Sequence, residues 1–304
     1  MNQASVAVLL STYNGEKYVE QQIKSVLSQT YQNIKIIYRD DGSTDKTRNV
    51  VDKVLKNKQY ICMTDGKNIG PAKSFIYLLS ANPEYDYYAF CDQDDIWEKD
   101  KIETAIEQLS KVHVPALYVC RARTIDGDGN VICEDSILSE SRKNIPSELI
   151  CGIAPGCAMV LNKELADIMI TQKFSGIPMH DMLAIILAFA KGKFIYDSKI
   201  CFSRRMHSNN VVGKKEKNWL QTNKQRYRRW VLDSQKAPLD IFMNELLDQN
   251  IELRNSKEYQ YFYDLANYKK SLACKIRLLT NKEYDGGSSS ARRSFVIRLL
   301  LNLL

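Results

Sequence analysis

The chain has 304 residues, which is enough for one large domain or two smaller ones. Hydrophobic residues make up 44% and charged residues 26%, a balance typical of folded globular proteins that excludes a disordered or fibrous chain. The eight cysteines and three histidines form no Cys-x-x-Cys pair and no Cys/His cluster. This argues against a zinc or iron–sulfur site and for reduced, mostly buried thiols.

Positive charge is concentrated in the last third of the chain. The net charge is +7, and residues 214–304 hold 18 Lys and Arg against 10 Asp and Glu. A basic segment after a nearly neutral body predicts an anionic partner, either a membrane surface or a nucleic acid. At the other end, the first apolar run has no basic segment before it, so we interpret it as a strand and not as a signal peptide. No apolar run reaches the roughly 18 residues of a membrane span, and we expect a cytoplasmic protein.

Four apolar strands alternate with four helical patterns in the first 110 residues. Such alternation predicts an α/β fold, with a mainly parallel sheet flanked by helices. The predicted strands are 5–10, 34–38, 60–64 and 87–91, and the predicted helices are 15–29, one ending near 55, one beginning at Pro71, and 99–109.

The pattern changes after residue 113. The Asp126–Asn130 segment reads as a hairpin turn, so an antiparallel part joins the sheet. Further expected elements are a strand at 156–161, a helix at 180–191, two last strands at 193–197 and 200–205, helices from Lys214 onward, a Gly/Ser linker at 285–290 and a closing segment at 291–304. We therefore expect an α/β domain over 1–213 and a basic helical extension over 214–304.

Polar residues follow each of the four predicted strands, at 11–14, 40–43, 65–70 and 92–95. Ligands of open α/β sheets bind at the carboxyl ends of the strands. Each cluster alone is as readily explained as a turn or a helix cap. Their recurrence after successive strands favours one common binding site.

The segment Asp92-Gln93-Asp94-Asp95 puts three carboxylates within four residues. Such carboxylates repel one another unless a cation neutralises them. Alternate residues of an extended segment face the same side, so we expect Asp92 and Asp94 to face one ligand. Hard oxygen ligands suit Mg²⁺ or Mn²⁺. The alternative is an exposed acidic turn that caps the next helix.

Four segments carry a resemblance to a known family: STYNGEKYVEQQIKSVLSQTY, DDGSTD, NIGPAKSF and FCDQDDIWEKDKI. In this order and spacing they resemble the family 2 inverting glycosyltransferases with the GT-A fold, over about residues 5–213. The DQDDIW segment and the later His180-Asp181 pair look most similar to bacterial rhamnosyltransferases of polyrhamnose synthesis.

The resemblance implies a nucleotide-sugar site at the strand ends, with Mn²⁺ or Mg²⁺ as cofactor. A bound cation stabilises the departing diphosphate as a Lewis acid. The implied contacts are Thr12 and Tyr13 with the base, Asp41 with the pyrimidine edge or the ribose, Asn68 and Lys73 with the base or the diphosphate, Asp92 with the ribose, and Asp94 with the metal.

The resemblance also places Asp181 where the family keeps its catalytic base, which takes the proton of the acceptor hydroxyl. His180 is the alternative base, and Asp181 taken alone could simply be a residue that stabilises a helix N-terminus. After the last strand, Arg204 or Arg205 is expected to contact the diphosphate and His207 to be a metal ligand. Trp97 is expected either under the sugar or in the core.

These observations predict transfer of L-rhamnose from dTDP-β-L-rhamnose to a polyprenyl-diphosphate-linked saccharide at the inner face of the plasma membrane. A UDP-hexose donor is the alternative within the class, and a nucleotidyltransferase is the alternative in a neighbouring class. The basic stretch 217–230 could indicate a nucleic-acid-binding protein, but the acidic segments disfavour this. The closing segment 291–304 could contact a membrane surface, its own domain or a second copy in a homodimer.

Overall fold

The computed structural model describes residues 3–134, 144–176, 179–207, 238–284 and 289–304. The chain divides into two compact units. The first consists of 1–137, 154–171 and 179–206, and the second of 138–153, 172–178 and 207–304. The expected domain boundary at residue 213 lies outside the described residues. The second unit also includes 138–153 and 172–178, which that boundary assigns to the α/β domain.

The first unit is built on a sheet, which has nine strands within the described residues. The order is β3-β2-β1-β4-β8-β6-β9-β5, and β7 pairs with β6. Strands β1 to β4 run parallel, β8 is antiparallel to β4 and β6, and β9 is parallel to β6. The strands are β1 (Val6–Thr12), β2 (Ile34–Asp40), β3 (Tyr60–Cys62), β4 (Tyr87–Cys91), β5 (Ile96–Trp97), β6 (Ala116–Ile125), β7 (Val131–Cys133), β8 (Met159–Asn162) and β9 (Lys193–Arg205).

The central strands are apolar along their length because helices cover both faces of a parallel sheet. In β1 the side chains of Val6 to Leu9 are 0% exposed. The described helices, in chain order, are α1 (Val19–Leu27), α2 (Thr47–Val54), α3 (Pro71–Ser80), α4 (Lys101–Leu109), α5 (Ile145–Cys151), α6 (Lys163–Thr171) and α7 (His180–Lys191), all in the first unit except α5.

The described part of the second unit is helical. Besides α5 it contains α8 (Leu239–Gln249), a 3₁₀ helix (Ile251–Asn255), α9 (Tyr259–Asn267), α10 (Leu272–Thr280) and α11 (Ser289–Leu300). Its core includes Phe242, Phe262 and Leu299, each 0% exposed. A search of the described residues found no helix with the length and hydropathy needed to span a bilayer.

Three expectations about elements were wrong. Residues Gly156–Ala158 form a 3₁₀ turn, and the strand expected there begins only at Met159. The two expected last strands form a single strand, β9. Its pairing with β6 shifts register near residue 120, and the strand therefore continues through the polar Asp197–Lys199 segment. Ser289 lies in α11 and not in a linker, whereas 285–288 lie outside the described residues.

Candidate functional site

Three parallel strands bring their polar ends to one edge of the sheet. In the register of β1 with β2, Thr12 pairs with Asp40, and in that of β1 with β4, Leu10 pairs with Cys91. The segments that follow these three strands therefore lie side by side, as the sequence predicts. The segment after β4 is Asp92–Asp95, which we call the acid segment.

The amide of Gln93 joins the acid segment to the end of β1. Its Oε1 accepts a hydrogen bond from the Tyr13 amide at 2.8 Å, and its Nε2 donates to the Tyr13 carbonyl at 3.0 Å. Gly15 leaves room for this contact, since a Cβ there would lie 2.2 Å from Oε1. The Tyr13 side chain is 50% exposed and accessible to a ligand, whereas the Thr12 hydroxyl is buried and donates to Asp40 at 2.9 Å.

The Asp41 carboxylate fixes the loop that carries Asn68. Its Oδ1 accepts from the Ile69 amide and its Oδ2 from the Gly70 amide, both at 2.8 Å. Asp41 is 3% exposed, so both oxygens are engaged with the backbone of this loop. The side chains of Asn68 and, in the first turn of α3, Lys73 are exposed.

The acid segment forms a cluster with a cysteine from a distant part of the chain. A carboxylate oxygen of Asp92, one of Asp95 and the Sγ of Cys157 all lie within 4.8 Å of one another. Burial, together with repulsion from neighbouring carboxylates, raises the pKa of Asp92 and of Asp95. Burial also raises the pKa of the Cys157 thiol. The cluster therefore favours protonated or cation-neutralised groups.

Arg205 holds the acid segment in place through its backbone and its side chain. Its amide donates to Oδ1 of Asp95 at 3.1 Å, and its Nε donates to the Asp94 carbonyl at 3.0 Å. The remaining nitrogens donate to the carbonyls of residues 126 and 127, each at 3.2 Å, and to Gln21 at 2.7 Å. The Arg205 guanidinium thus binds protein groups at this edge.

Arg204 is half-buried and electrostatically close to the cluster. Its positive charge opposes the effect of burial and lowers the pKa values of Asp92, Asp95 and Cys157. An arginine here has the charge to contact a diphosphate, and this role stays a prediction. His207 belongs to the second unit, and its role as a metal ligand also stays a prediction.

The first turn of α7 carries the two candidate bases. His180 is 3% exposed, and its ring centroid lies 4.2 Å from that of Phe75 and 4.7 Å from that of Phe90. Neither ring nitrogen has a hydrogen-bond partner in the described part of the chain, and burial lowers the pKa of the imidazole. Asp181 is half-buried, and its Oδ1 accepts from the Met182 amide at 2.8 Å. Of the two, Asp181 is the group with access to a ligand.

Several residues of this edge were not identified from the sequence. Asp95 was visible in the acidic run, but the alternation argument selected Asp92 and Asp94 instead. No sequence pattern identifies Cys157 or Lys101 as part of the site. Only the folded chain brings Cys157 close to Asp92 and Asp95, and Lys101 close to Cys157. Trp97, for which the sequence predicts a position under the sugar or in the core, is 3% exposed and is therefore a core residue.

The donor set of the acid segment fits a hard divalent cation. All three acids offer carboxylate oxygens, the ligands that Mg²⁺ and Mn²⁺ prefer. The Oδ2 of Asp95 is buried and accepts no hydrogen bond from nitrogen or oxygen among the described residues. The repulsion that raises the pKa values of Asp92 and Asp95 is of the kind that a bound cation relieves.

Comparison with known sequences places these features in a family. The model described as "Glycosyl transferase family 2" matches residues 7–168. The dTDP-rhamnosyl transferase RfbG of Shigella flexneri is 32% identical over 216 residues, which are 67% of this chain and 73% of that protein. The chondroitin synthase of Pasteurella multocida is 26% identical over 270 residues, which are 88% of this chain but only 26% of the synthase.

Comparison with solved structures concerns the fold alone, since the identities are low. S. aureus TarS 1-349 in complex with UDP-GlcNAc is 15% identical with a TM-score of 0.58, covering 98% of this chain and 92% of that chain. The mannosyltransferase PcManGT from Pyrobaculum calidifontis in complex with GDP-Man and Mn²⁺ is 15% identical with a TM-score of 0.56, covering 100% and 82%. The shared fold is the GT-A arrangement that the sequence predicts.

Proposed function

The chain belongs to glycosyl transferase family 2, and from this premise we propose that it is an inverting rhamnosyltransferase. It transfers L-rhamnose from dTDP-β-L-rhamnose to a hydroxyl of a lipid-linked or growing bacterial surface glycan. The observation that carries the proposal is the meeting of three polar strand ends, the acid segment included, at one edge of the sheet. The choice of rhamnose is supported by the DQDDIW segment and by the 32% identity to a protein named dTDP-rhamnosyl transferase.

The donor would lie along this edge. The exposed ring of Tyr13 offers a surface on which a base stacks, and the Asp41-anchored loop presents Asn68 toward the same edge. Asp41 itself would act mainly by holding this loop, because its two oxygens already accept backbone hydrogen bonds. Lys73 and Arg204 would neutralise the diphosphate.

Asp94 would hold Mn²⁺ or Mg²⁺, and Asp92 would contact the ribose. A cation held there supplies Lewis-acid stabilisation of the charge that develops on the diphosphate. The protein's own contribution is to keep these carboxylates aligned through Gln93 and Arg205.

Asp181 would act as the general base. In a single displacement the acceptor oxygen bonds to the anomeric carbon, the bond from that carbon to the diphosphate oxygen breaks, and the proton of the acceptor hydroxyl passes to the Asp181 carboxylate. A carboxylate that is half-buried at the first turn of a helix has the access that this transfer needs, whereas His180 is enclosed by Phe75 and Phe90.

A polyprenyl-diphosphate-linked acceptor would bring the protein to the inner face of the plasma membrane. The excess positive charge of 214–304 supports a peripheral contact with anionic lipid. The closing helix buries Phe295 and Leu299 within its own unit, and the exposed Ile297, Leu300 and Leu301 would be available for a contact between two copies in a homodimer. A UDP-hexose donor is the second candidate, and the neighbour TarS was solved with the UDP-sugar UDP-GlcNAc.

The test is donor cleavage and transfer across a panel of nucleotide sugars, with Mn²⁺, with Mg²⁺ and with EDTA. We expect dTDP-rhamnose to be cleaved to dTDP, and EDTA or Asp94→Asn to abolish the reaction. Asp181→Asn should keep donor binding but lower transfer by about 10²–10⁴-fold, the usual contribution of a general base. Asp52→Asn, at an exposed carboxylate of α2, is the matched control and should behave as the parent chain.

The outcomes separate the parts of the proposal. Use of a UDP-sugar alone would keep the mechanism and overturn the rhamnose assignment. Equal transfer by Asp181→Asn and the parent would overturn the assignment of the base. Formation of pyrophosphate would indicate a nucleotidyltransferase, and binding of RNA that survives Asp94→Asn would indicate a nucleic-acid-binding protein.

A further inference from the structure

The cluster of Asp92, Asp95 and Cys157 has a chemistry that a purely carboxylate site lacks. Their ligand atoms lie within 4.8 Å of one another, and one of the three is a thiol sulfur. Thiolates are soft ligands that select zinc-like ions, whereas Mg²⁺ and Mn²⁺ prefer all-oxygen sets. A mixed set of one sulfur and two carboxylates is therefore better matched to a borderline or soft divalent cation.

A second observation points to a missing ligand at the same place. Asp95 is 2% exposed, and its Oδ2 accepts no hydrogen bond from a nitrogen or oxygen donor in the described ranges. The group beside this carboxylate is the Cys157 thiol, a weak donor. An unsatisfied buried carboxylate oxygen is costly, and a cation bound to it would remove that cost.

We infer that Asp92, Asp95 and Cys157 form a binding site for a soft or borderline divalent cation of the Zn²⁺ or Cd²⁺ class. This set shares Asp92 with the proposed donor site but does not include Asp94, the residue proposed to hold Mn²⁺ or Mg²⁺. Sequence patterns do not reveal it, because Cys157 follows the acid segment only after some sixty residues and the strands β5, β6 and β7.

The geometry requires a small closure of the cluster. Zn–S and Zn–O bonds of about 2.3 and 2.1 Å put the ligands of one tetrahedral ion about 3.6 Å apart. Ligand atoms up to 4.8 Å apart must therefore approach by about 1 Å. The turn that carries Cys157 is held by a hydrogen bond of 2.8 Å from Lys101 to the Cys157 carbonyl. The movement is therefore assigned to the side chain of half-buried Asp92.

With the cation bound, the charges of the ion, its three ligands and Arg204 sum to zero. The ion takes the place of the thiol proton and of the protons that the raised pKa values keep on the carboxyl groups, and these protons are released to solvent. One divalent cation then meets one thiolate and two carboxylates. The resulting net charge of −1 faces Arg204, whose positive charge already acts on all three ligands. No oxidant or other reactant takes part in this exchange.

Occupancy of this site would regulate the proposed reaction. This regulatory effect rests on the proposed function, whereas the cation site itself does not. Asp92 cannot contact the donor ribose while it is bound to the soft ion. We therefore expect Zn²⁺ or Cd²⁺ to compete with the nucleotide-sugar donor even when Mn²⁺ is present in excess.

The test is titration of the tag-free full chain with Cd²⁺, followed by the thiolate-to-cadmium charge-transfer absorption. We expect one cadmium ion per chain, loss of the absorption in Cys157→Ser, and weakening of binding by about tenfold or more in Asp95→Asn and Asp92→Asn. The double variant Cys62→Ser/Cys133→Ser removes two exposed thiols outside the cluster and should keep the absorption. Unchanged absorption and stoichiometry in Cys157→Ser would overturn the inference.

A second measurement does not depend on variants that might unfold. X-ray absorption of the Zn²⁺-loaded parent chain should show one sulfur and otherwise oxygen or nitrogen neighbours. A shell without sulfur would overturn the inference. If the sulfur is found but no nucleotide sugar binds the metal-free chain, the soft-cation site stands and the proposed function fails. If donors bind without competition from Zn²⁺, the regulatory step fails while the proposed function stands.

Discussion

The ammonium group of Lys101 donates a hydrogen bond of 2.8 Å to the carbonyl oxygen of Cys157, whose Sγ lies close to carboxylate oxygens of Asp92 and Asp95. Lys101 is 0% exposed, and its Nζ lies 4.8 Å from the ring centroid of Trp97 and 4.6 Å from that of Phe202. No carboxylate pairs with it among the described residues. Two aromatic faces, one carbonyl and the Sγ of Cys120, which accepts a hydrogen bond from the same Nζ at 3.5 Å, thus take the place of a carboxylate counter-ion around this ammonium group.

Lys101→Met should destabilise the first unit by about 1–3 kcal/mol, because the buried Cys157 carbonyl would lose its donor. Chemical denaturation of the parent and the variant measures the difference in the free energy of unfolding. Lys99→Met, at an exposed neighbour, is the control and should change stability by no more than about 0.5 kcal/mol. Equal stability of Lys101→Met and the parent would show that this hydrogen bond contributes nothing net.

Gly15→Ala should disturb the acid segment through Gln93. The added Cβ would lie 2.2 Å from Oε1 of Gln93, so the amide would leave the Tyr13 backbone. We expect a cost of about 1–3 kcal/mol, as for other overpacked contacts. In a Gln93→Ala background the clash is absent, and the same substitution should cost less than about 0.5 kcal/mol. A double-mutant cycle of unfolding free energies measures this coupling, and additivity would contradict it.

Asp41→Asn should loosen the loop at 66–70. An amide offers one acceptor where the carboxylate offers two, so one of the Ile69 and Gly70 amides would lose its partner. We expect a loss of about 1–3 kcal/mol of stability and faster hydrogen exchange of these two amides. Asp52→Asn serves as the exposed control, and unchanged exchange in Asp41→Asn would refute the role of this carboxylate.

The buried imidazole of His180 should make stability depend on pH. Burial lowers its pKa in the folded state, so below the ordinary histidine pKa of about 6.5 the unfolded chain binds a proton that the folded chain does not. Stability from this group is therefore present above about pH 6.5 and lost as the pH falls below it. His180→Leu should flatten the melting temperature between about pH 5 and 7, whereas exposed His113→Asn should not. An unchanged slope in His180→Leu would contradict the assignment.

Periodicity and turn residues were sufficient to predict the elements that are defined locally. The strand Tyr87–Cys91 and the helix His180–Lys191 have the predicted bounds, because each is a continuous apolar or amphipathic run bounded by polar residues. The meeting of the strand ends was also predictable, since parallel strands in successive βαβ units must end at the same edge.

Features that depend on distant pairing could not be predicted in this way. The Asp197–Lys199 segment has the composition of a turn. In the structure it stays within β9, because the register of the pairing with β6 shifts there. Cys157 lies in an apolar run typical of a strand, and only the antiparallel placement of β8 between β4 and β6 brings it close to Asp92 and Asp95. The buried positions of Lys101 and Arg205 likewise follow from tertiary packing, because nothing local distinguishes them from exposed cations.

The position of Arg205 also bears on the order in which the molecule folds. The partner of its amide, Asp95, lies 110 residues earlier in the chain. During synthesis the first four strands therefore emerge long before the arginine that anchors the segment following β4. Contacts of such long sequence separation form late. The strands β1 to β4 can pair as a nascent subdomain, but its acidic edge becomes ordered only when β9 docks.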